Sequence, residues 1–353
     1  MEYPTLSVII AIYNYGNFIE EAIDSVLTQD FPQEEIEIIV IDYGSTDDSR
    51  EKIIKYDKKV NPIFLDKGDY IKAINEGISV SRGKYIAFLG ADDKWKREKS
   101  RIQIEFLEKN PEVGLVYTDA TIINEYSEVI YPSFWRWENI IPYRGYVLDK
   151  LLIKNFVSGG TMMVRHRDRH LFYPIPESKG FEKCEDWWIV FNIARRHPID
   201  FIPSQLTLYR LHTRNQVLRK GFTFNRSNAI LVLNQETERR IFMIDIVVKD
   251  EKAKISKSAL NDAINYNKKR ILQKTLLGKS KIELIKFLWA VFKGKTKVDV
   301  GDFPVILKAM IQSLNPNLYT LLIRIKLELG RNVKFNLLHK YIKRRRPFKK
   351  NES

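Results

Sequence analysis

Along the first 120 residues, short and continuously apolar runs alternate with stretches in which apolar side chains recur every three to four positions. A run that is apolar at every position suits a strand covered on both faces, and recurrence near 3.6 suits an amphipathic helix. The segment therefore reads as βαβαβαβ around a mostly parallel sheet with helices on both faces. The first strand is expected over residues 6–12. A helix follows that Asn17 caps and whose stripe is Ile19, Ala22, Ile23, Val26 and Leu27, with Phe31 and Pro32 ending it. A second strand over residues 36–41 runs into a polar turn. There Gly44 permits a tight bend, Ser45, Thr46 or Asp47 can cap the next helix, and that helix carries Ile53 and Ile54. A third strand over residues 62–65 leads to Asp66, Gly68 and a helix through Ala73 and Ile78; a fourth over residues 85–89 ends at Asp92 and Asp93.

Beyond residues 114–117 the pattern turns irregular and rich in Trp, Tyr and Pro, as in residues 131–143, which suits loops that wall a pocket. The region to about residue 211 completes this domain. From about Arg226 the reading changes to long amphipathic helices dense in Lys and Arg. The predicted organisation is one α/β domain over residues 1–225 and a basic helical extension over residues 226–353.

Composition narrows the class. At 44% hydrophobic residues the 353-residue chain has material for a core and one appendage, which excludes global disorder. The single cysteine, Cys184, cannot form an internal disulfide, and the five histidines lack zinc-ligand spacing with a second thiol, so a reducing cytoplasm is the expected setting. No basic n-region followed by a long apolar stretch opens the chain, and the apolar stretches 284–292 and 318–329 are interrupted by Lys or Arg, so neither a secretion signal nor a membrane span is expected. A formal charge of +15 predicts attraction to something anionic. Nucleic acid is not the expected partner, because no recognition module is present and the positive residues follow amphipathic helices. Residues 281–289 alternate basic and apolar positions, and residues 343–350 are almost wholly basic. Such segments suit the acidic inner face of a plasma membrane, where each Lys or Arg contributes about 1 kcal/mol. Packing on the domain with solvated charges accounts for the same pattern, and the sequence leaves both open.

The chemistry concentrates at strand ends, where open parallel sheets bind ligands. Tyr13 and Asn14 follow the first strand, Asp42 the second, Asp66 the third, and Asp92 with Asp93 the fourth. Carboxylates gathered in one crevice repel one another unless a cation joins them. Adjacent aspartates offer hard oxygen ligands to Mg²⁺ or Mn²⁺ and leave room for phosphate oxygens and water. Taken alone, the same pair serves equally well as the cap of a helix from about Lys96 to Leu107. Neither Gly-x-Gly-x-x-Gly nor Gly-x-x-x-x-Gly-Lys-Ser/Thr occurs, so a metal would have to replace the glycine-rich phosphate cradle.

Three ordered segments carry a family resemblance: residues 8–14 (Val-Ile-Ile-Ala-Ile-Tyr-Asn), 39–47 (Ile-Val-Ile-Asp-Tyr-Gly-Ser-Thr-Asp) and 85–93 (Tyr-Ile-Ala-Phe-Leu-Gly-Ala-Asp-Asp). Together they resemble the family-2 glycosyltransferases of the GT-A fold, over roughly residues 4–215. The resemblance implies an inverting transfer of sugar from a nucleotide-sugar donor, such as a UDP-sugar, to a hydroxyl of a glycan or lipid-linked acceptor in cell-surface polysaccharide or glycolipid assembly. It implies that Asp92 and Asp93 form the metal motif, with Asp93 the more direct ligand. Ala11, Tyr13, Asp42, Tyr43, Asp66 and Asp92 would line the nucleotide side. Residues 184–188 (Cys-Glu-Asp-Trp-Trp) resemble the family's base motif, which makes Asp186 the catalytic base and puts Glu185 and Trp187 near the acceptor. Residues 208–212 resemble its closing segment and point His212 at the metal or diphosphate. A positioned carboxylate can take the proton that the acceptor hydroxyl loses as it attacks, and one carboxylate suffices for direct inversion. Glu185 and Asp186 standing alone also fit the acidic first turn of any exposed helix, and the tryptophans 135, 137, 187 and 188 fit either sugar stacking or core.

One position departs from the family pattern: Tyr43 stands where a second aspartate is usual. A tyrosine there can stack on a base, hydrogen-bond through its hydroxyl, or mark a changed nucleotide, a changed pose or lost activity. The last of these gives the rival reading, a catalytically silent protein that kept the fold to bind a nucleotide sugar or a partner.

Overall fold

A computed structural model describes residues 3–56, 58–66, 68–177, 181, 184–212 and 226–278, with side chains in the last stretch followed over 235–271. The strands are β1 (Leu6–Ile12), β2 (Ile36–Asp42), β3 (Asn61–Phe64), β4 (Tyr85–Phe88), β5 (Lys94–Trp95), β6 (Leu115–Ile123), β7 (Val129–Tyr131), β8 (Met163–Arg165) and β9 (Ile199–Arg210). They form one sheet in the order β3-β2-β1-β4-β8-β6-β9-β5, with β7 paired to β6. β1 runs parallel to β2 and β4, β2 to β3, and β6 to β9. β8 lies antiparallel between β4 and β6, and β5 antiparallel to β9.

Alternation of side chains divides each central strand between two cores. Ile9, Ile39, Ile41, Ile86 and Phe88 pack under α3 (Tyr70–Val80) and α7 (Glu185–Ala194). Val8, Ile10, Ile12, Ile38, Val40 and Ala87 pack under α1 (Gly16–Leu27), α2 (Ser49–Ile54) and α4 (Lys99–Lys109). Both faces being covered explains why β1 and β2 read as unbroken apolar runs.

Two helix starts differ from expectation. Asn17 lies inside α1 and is exposed, because the helix begins at Gly16, whose N–H donates to Asp47 Oδ2 at 3.1 Å from the loop after β2. A Cβ at Gly16 would come within 1.9 Å of Asp48 Oδ1, so a larger residue there would make the Asp48 side chain move. Asp92 and Asp93 do not cap α4 either, since β5 intervenes and Glu98 occupies the N-cap. Residues 131–143, expected as irregular, contain α5 (Phe134–Glu138), which Ser133 caps by accepting from Arg136 N–H.

α6 (Leu148–Leu151), α8 (Arg226–Val248) and α9 (Lys257–Gly278) complete the described helices. Residues 1–219 and 234–268 form one compact unit; residues 220–233 and 269–353 form a second. Within the first, Met243 and Val247 of α8 join the α7 core, and Arg195 and Arg196 after α7 hold Asp250 at 2.8 and 2.7 Å. Residue 225, where a domain boundary is expected, lies outside the described residues, as do 281–289 and 343–350, on which the membrane-surface reading rests. No described helix is long and apolar enough to cross a membrane.

Candidate active site

The carboxyl ends of β1 and β2 are tied together before any ligand is considered. Asn14 adopts a left-handed conformation (φ 58°), which lets its side chain accept from Thr46 N–H at 2.7 Å while its own N–H donates to Ser45 Oγ at 2.9 Å. Asp42 ends β2 fully buried. Its Oδ1 accepts from Gly44 N–H and Ser45 N–H, both at 3.1 Å, and from Arg50 Nε at 2.8 Å. Its Oδ2 is buried and, among the described residues, takes no hydrogen bond, an unmet acceptor of the kind that usually has a partner. Tyr13 projects with 46% of its surface exposed and stacks on Tyr43 at 5.5 Å between centroids. Tyr43 in turn meets the edge of Tyr70 at 6.2 Å. Burial, then the nearby Tyr15 and Glu185, keep the Tyr43 hydroxyl protonated far above its ordinary value. Ala11 is half-buried against the core, and Asp66 stands exposed just past β3.

Beyond β4 the acidic turn is fixed by Arg210, a fully buried arginine at the end of β9. Its backbone N–H donates to Asp93 Oδ1 at 2.8 Å and its Nε to Asp92 O at 2.6 Å. Its Nη2 pairs with Glu21 at 3.1 Å. Burial alone would raise Glu21, but Lys94, Ser127 and Arg210 outweigh it and hold the carboxyl at about 2. Asp93 shows the opposite balance: burial, then the adjacent charge of Asp92, push it well above the carboxylate range. His212 is buried against Tyr15 and Phe18, with Nε2 3.0 Å from Asp92 Oδ2.

His212 Nε2 therefore lies against the same Asp92 carboxylate that is expected to meet a metal, and among the described residues no group of three His, Cys, Asp or Glu side chains is gathered to hold one ion. Asp92 Oδ1 and Asp93 Oδ2 take no hydrogen bond from the described residues. A Cβ on Gly90 would lie 3.0 Å from the first and 2.9 Å from the second, so the two oxygens sit together over a bare Cα. Two hard oxygen donors with like charge between them fit a divalent ion whose remaining ligands are waters and phosphate oxygens.

The second carboxylate group is brought to this turn by a 3-10 turn over Gly159–Thr161. A Cβ on Gly160 would sit 3.5 Å from Asp93 Oδ2, and one on Gly159 would sit 3.3 Å from Glu185 Oε1 and 3.6 Å from Asp186 Cβ. Asp93 and the Glu185–Asp186 pair therefore flank two consecutive glycines. The turn is held from beneath: Thr207 Oγ1 donates to Gly160 O at 2.9 Å, and Gln103 Nε2 and Lys99 Nζ donate to Thr161 O at 3.0 and 3.4 Å. Glu185 is locked by the Tyr70 hydroxyl, which donates to its Oε1 at 2.7 Å. Asp186 accepts from Trp187 N–H at 2.6 Å. Burial, then the neighbouring Glu185, push Asp186 up to about 8, against the pull of the Trp187 N–H, Arg239 and the Gly159 N–H.

Trp187 is not where an acceptor could stack. It is 5% exposed, its indole N–H donates to Leu151 O at 2.8 Å, and Arg239 and Arg240 lie over its ring. Trp137 and Trp188 are likewise buried. Gly90, Gly159, Gly160 and Tyr70 were not singled out as site residues from the sequence. Ser158-Gly159-Gly160 is a visible turn signal, but only packing reveals that it separates two carboxylate groups.

Comparison with known proteins gives the arrangement a context. Residues 7–172 match the family model described as glycosyl transferase family 2. A protein named uncharacterized glycosyltransferase from Haemophilus influenzae is 28% identical over 284 residues, covering 73% of this chain and 84% of the relative. The putative teichuronic acid biosynthesis glycosyltransferase TuaG of Bacillus subtilis is 36% identical over 108 residues, 30% of this chain and 42% of that protein. Of several other curated relatives the chain spans about a third of the length, as in two cases at 35%. Among solved structures, S. aureus TarS 1–349 in complex with UDP-GlcNAc superposes with a TM-score of 0.52 at 16% identity, covering 94% of this chain and 89% of that one. The mannosyltransferase PcManGT of Pyrobaculum calidifontis, in complex with GDP-Man and Mn²⁺, gives 0.51 at 15% identity, with 90% and 89% covered. These likenesses show the GT-A fold.

Proposed function

We propose that this chain, which belongs to glycosyl transferase family 2, moves a sugar from a nucleoside-diphosphate donor to an acceptor hydroxyl with inversion at the anomeric carbon. The observation that carries the reading is the glycine pair Gly159–Gly160, with Asp93 on one side and Glu185–Asp186 on the other. One side suits a cation and a pyrophosphate, and the other suits proton transfer.

Asp92 and Asp93 would hold Mg²⁺ or Mn²⁺, which when bound neutralises the pyrophosphate and the charge it gains on leaving. The chain's own groups do the rest. Asp186 takes the acceptor proton: it accepts from the Trp187 N–H, and burial beside Glu185 raises its carboxyl above the ordinary range, towards working pH, where a general base is most effective. Glu185 has a locked orientation and acts as the carboxylate beside the base, so a single basic group serves an inverting displacement. A glycosidase would need a paired acid and base flanking the bond. Tyr13 offers an exposed ring to a nucleobase, and Asp42 and Asp66 stand at the nucleoside end. With Tyr43 stacked on Tyr13, the usual second carboxylate is replaced by an aromatic wall, which a UDP-sugar can use by stacking. The acceptor is assigned to a glycan or lipid-linked chain of cell-surface polymer assembly, made on the cytoplasmic side; this part of the reading leans on TuaG, whose name refers to teichuronic acid biosynthesis.

The rival reading, a silent binder of nucleotide sugars, draws on Tyr43 alone. A thermal-shift screen of nucleoside-diphosphate sugars with Mn²⁺, followed by assay for nucleoside-diphosphate release, separates the two. Metal-dependent stabilisation by a donor together with slow release supports the transferase. Stabilisation without any release, with or without acceptor glycans, favours the silent binder, and no stabilisation by any donor overturns both.

A further inference from the structure

One face of α1 reaches the acidic turn through two cations. Glu21, in the middle of that helix, is half-buried. Its carboxylate accepts from Lys94 Nζ at 2.8 Å, from Ser127 Oγ at 2.7 Å and from Arg210 Nη2 at 3.1 Å. Lys94 is the residue that follows Asp93. Arg210 is bonded to both aspartates, through its N–H to Asp93 Oδ1 at 2.8 Å and through its Nε to Asp92 O at 2.6 Å. Phe18 lies one turn earlier on the same face of α1. Its ring centroid is 4.7 Å from the Arg210 guanidinium carbon, and it packs on His212, whose Nε2 is 3.0 Å from Asp92 Oδ2. The helix is itself seated on the sheet by Ile19, Ala22, Ile23 and Val26, all fully buried, so the anchor is rigid.

A buried guanidinium is costly without a counter-charge, and a positive side chain close to Asp92 and Asp93 competes with a metal ion for them. Glu21 meets both needs, since it takes up the charge of Arg210 and draws the ammonium of Lys94 onto α1. The two carboxylate oxygens over Gly90 are then left to a divalent ion.

We propose that Glu21 is a positioning residue for the metal pair: by holding Lys94 and Arg210 against α1, it fixes the Asp92–Asp93 turn and keeps both cations from taking the place of the ion. Glu21 works through these two side chains rather than by ligation. The inference rests on the assignment of Asp92 and Asp93 as the metal pair.

The test is Mn²⁺ binding to the full chain without donor, followed by loss of the free Mn²⁺ signal in electron paramagnetic resonance. It compares the wild type, Glu21→Gln, Glu20→Gln and Asp93→Asn. Glutamine keeps the size of Glu21 and removes its charge. Glu21→Gln is expected to weaken Mn²⁺ binding about tenfold, as for other residues that orient metal ligands. In the transfer assay the Mn²⁺ concentration giving half the maximal rate rises by the same factor. The rate at saturating Mn²⁺ stays within about twofold of the wild type. Glu20, next to it on α1, pairs instead with Lys52 and Lys55 at 3.8 and 3.6 Å, so Glu20→Gln removes the same charge and leaves Mn²⁺ binding unchanged. Should Glu21→Gln fail to fold, as its metal-free thermal midpoint reveals, Glu21→Met, of the same length, carries the same test. Unchanged Mn²⁺ binding in Glu21→Gln, equal weakening in Glu20→Gln, or a rate that more Mn²⁺ does not restore overturns the role of Glu21. If the wild type binds no Mn²⁺, or Asp93→Asn binds it as tightly, the metal pair itself has failed and the role of Glu21 falls with it. If Asp93→Asn loses binding and Glu21→Gln keeps it, only the Glu21 inference has failed.

Discussion

The half of the site proposed for the donor draws its groups from neighbouring parallel strands: Ile12, Asp42 and Phe88 end β1, β2 and β4, and the carboxylates Asp42, Asp92 and Asp93 lie at or just past those ends. The half proposed for the acceptor has no such scaffold. Its glycine turn at residues 159–161 and its Glu185–Asp186 helix start come from separate segments and meet only through packing. The difference has an electrostatic counterpart. In the donor half, like charges are left for a cation to join. In the half proposed for the acceptor, a carboxyl pair is raised by burial and one member is held by a tyrosine hydroxyl. Donor-side substitutions should therefore act through metal and nucleotide, and acceptor-side substitutions through pH dependence.

The largest contrast is expected from Asp93→Asn. Losing one of two ligand oxygens should lower Mn²⁺-stimulated transfer by several kcal/mol, about 10³-fold, as read in a Mn²⁺ titration of turnover. In the wild type the same titration should show affinity tightening as pH rises. Burial and Asp92 keep Asp93 protonated well above its ordinary range, and a cation must displace that proton. Gly90→Ala comes next: a Cβ at 2.9–3.0 Å from both oxygens forces them apart, and overpacking of about 1–3 kcal/mol predicts Mn²⁺ binding weakened about tenfold. On the acceptor side, Tyr70→Phe leaves Glu185 Oε1 without its donor. A penalty of about 1–3 kcal/mol predicts a several-fold fall in transfer with nucleotide affinity unchanged, checked by calorimetry beside the rate.

The smallest effect on activity, and one that reads on stability, is expected from Lys99 beneath the glycine turn. Burial lowers its amine from 10.5 to about 7. Between those values the unfolded chain binds more protons than the folded one, so stability rises with pH across that window. Lys99→Met removes the slope: its thermal midpoint should exceed the wild type's at pH 7, and the gap should narrow towards pH 10. A constant gap would mean that the amine is not held neutral.

Legibility in the sequence follows the same division. β1 was expected over residues 6–12 and is Leu6–Ile12, because a strand buried on both faces writes an unbroken apolar run. β2 continues one residue further, to Asp42, which a hydrophobic pattern cannot register. The cap of α1 was misplaced onto Asn17 because the group that satisfies its first N–H comes from Asp47, in another loop. The two-residue β5 exists only through pairing with β9, more than a hundred positions away. In the donor half the acidic residues could be named because each follows its strand. In the acceptor half Glu185 and Asp186 could be named only from a family resemblance. The turn at Gly159 and Gly160 could not be named at all, since one more glycine pair carries no local signal.

The central claim, that carboxylates flanking the glycine pair divide donor binding from proton transfer, is tested most directly by Asp186→Asn assayed for both with Mn²⁺ present. The account predicts nucleotide-sugar affinity within about twofold of the wild type and transfer reduced by about 10³-fold or more. Transfer at the wild-type rate would contradict it.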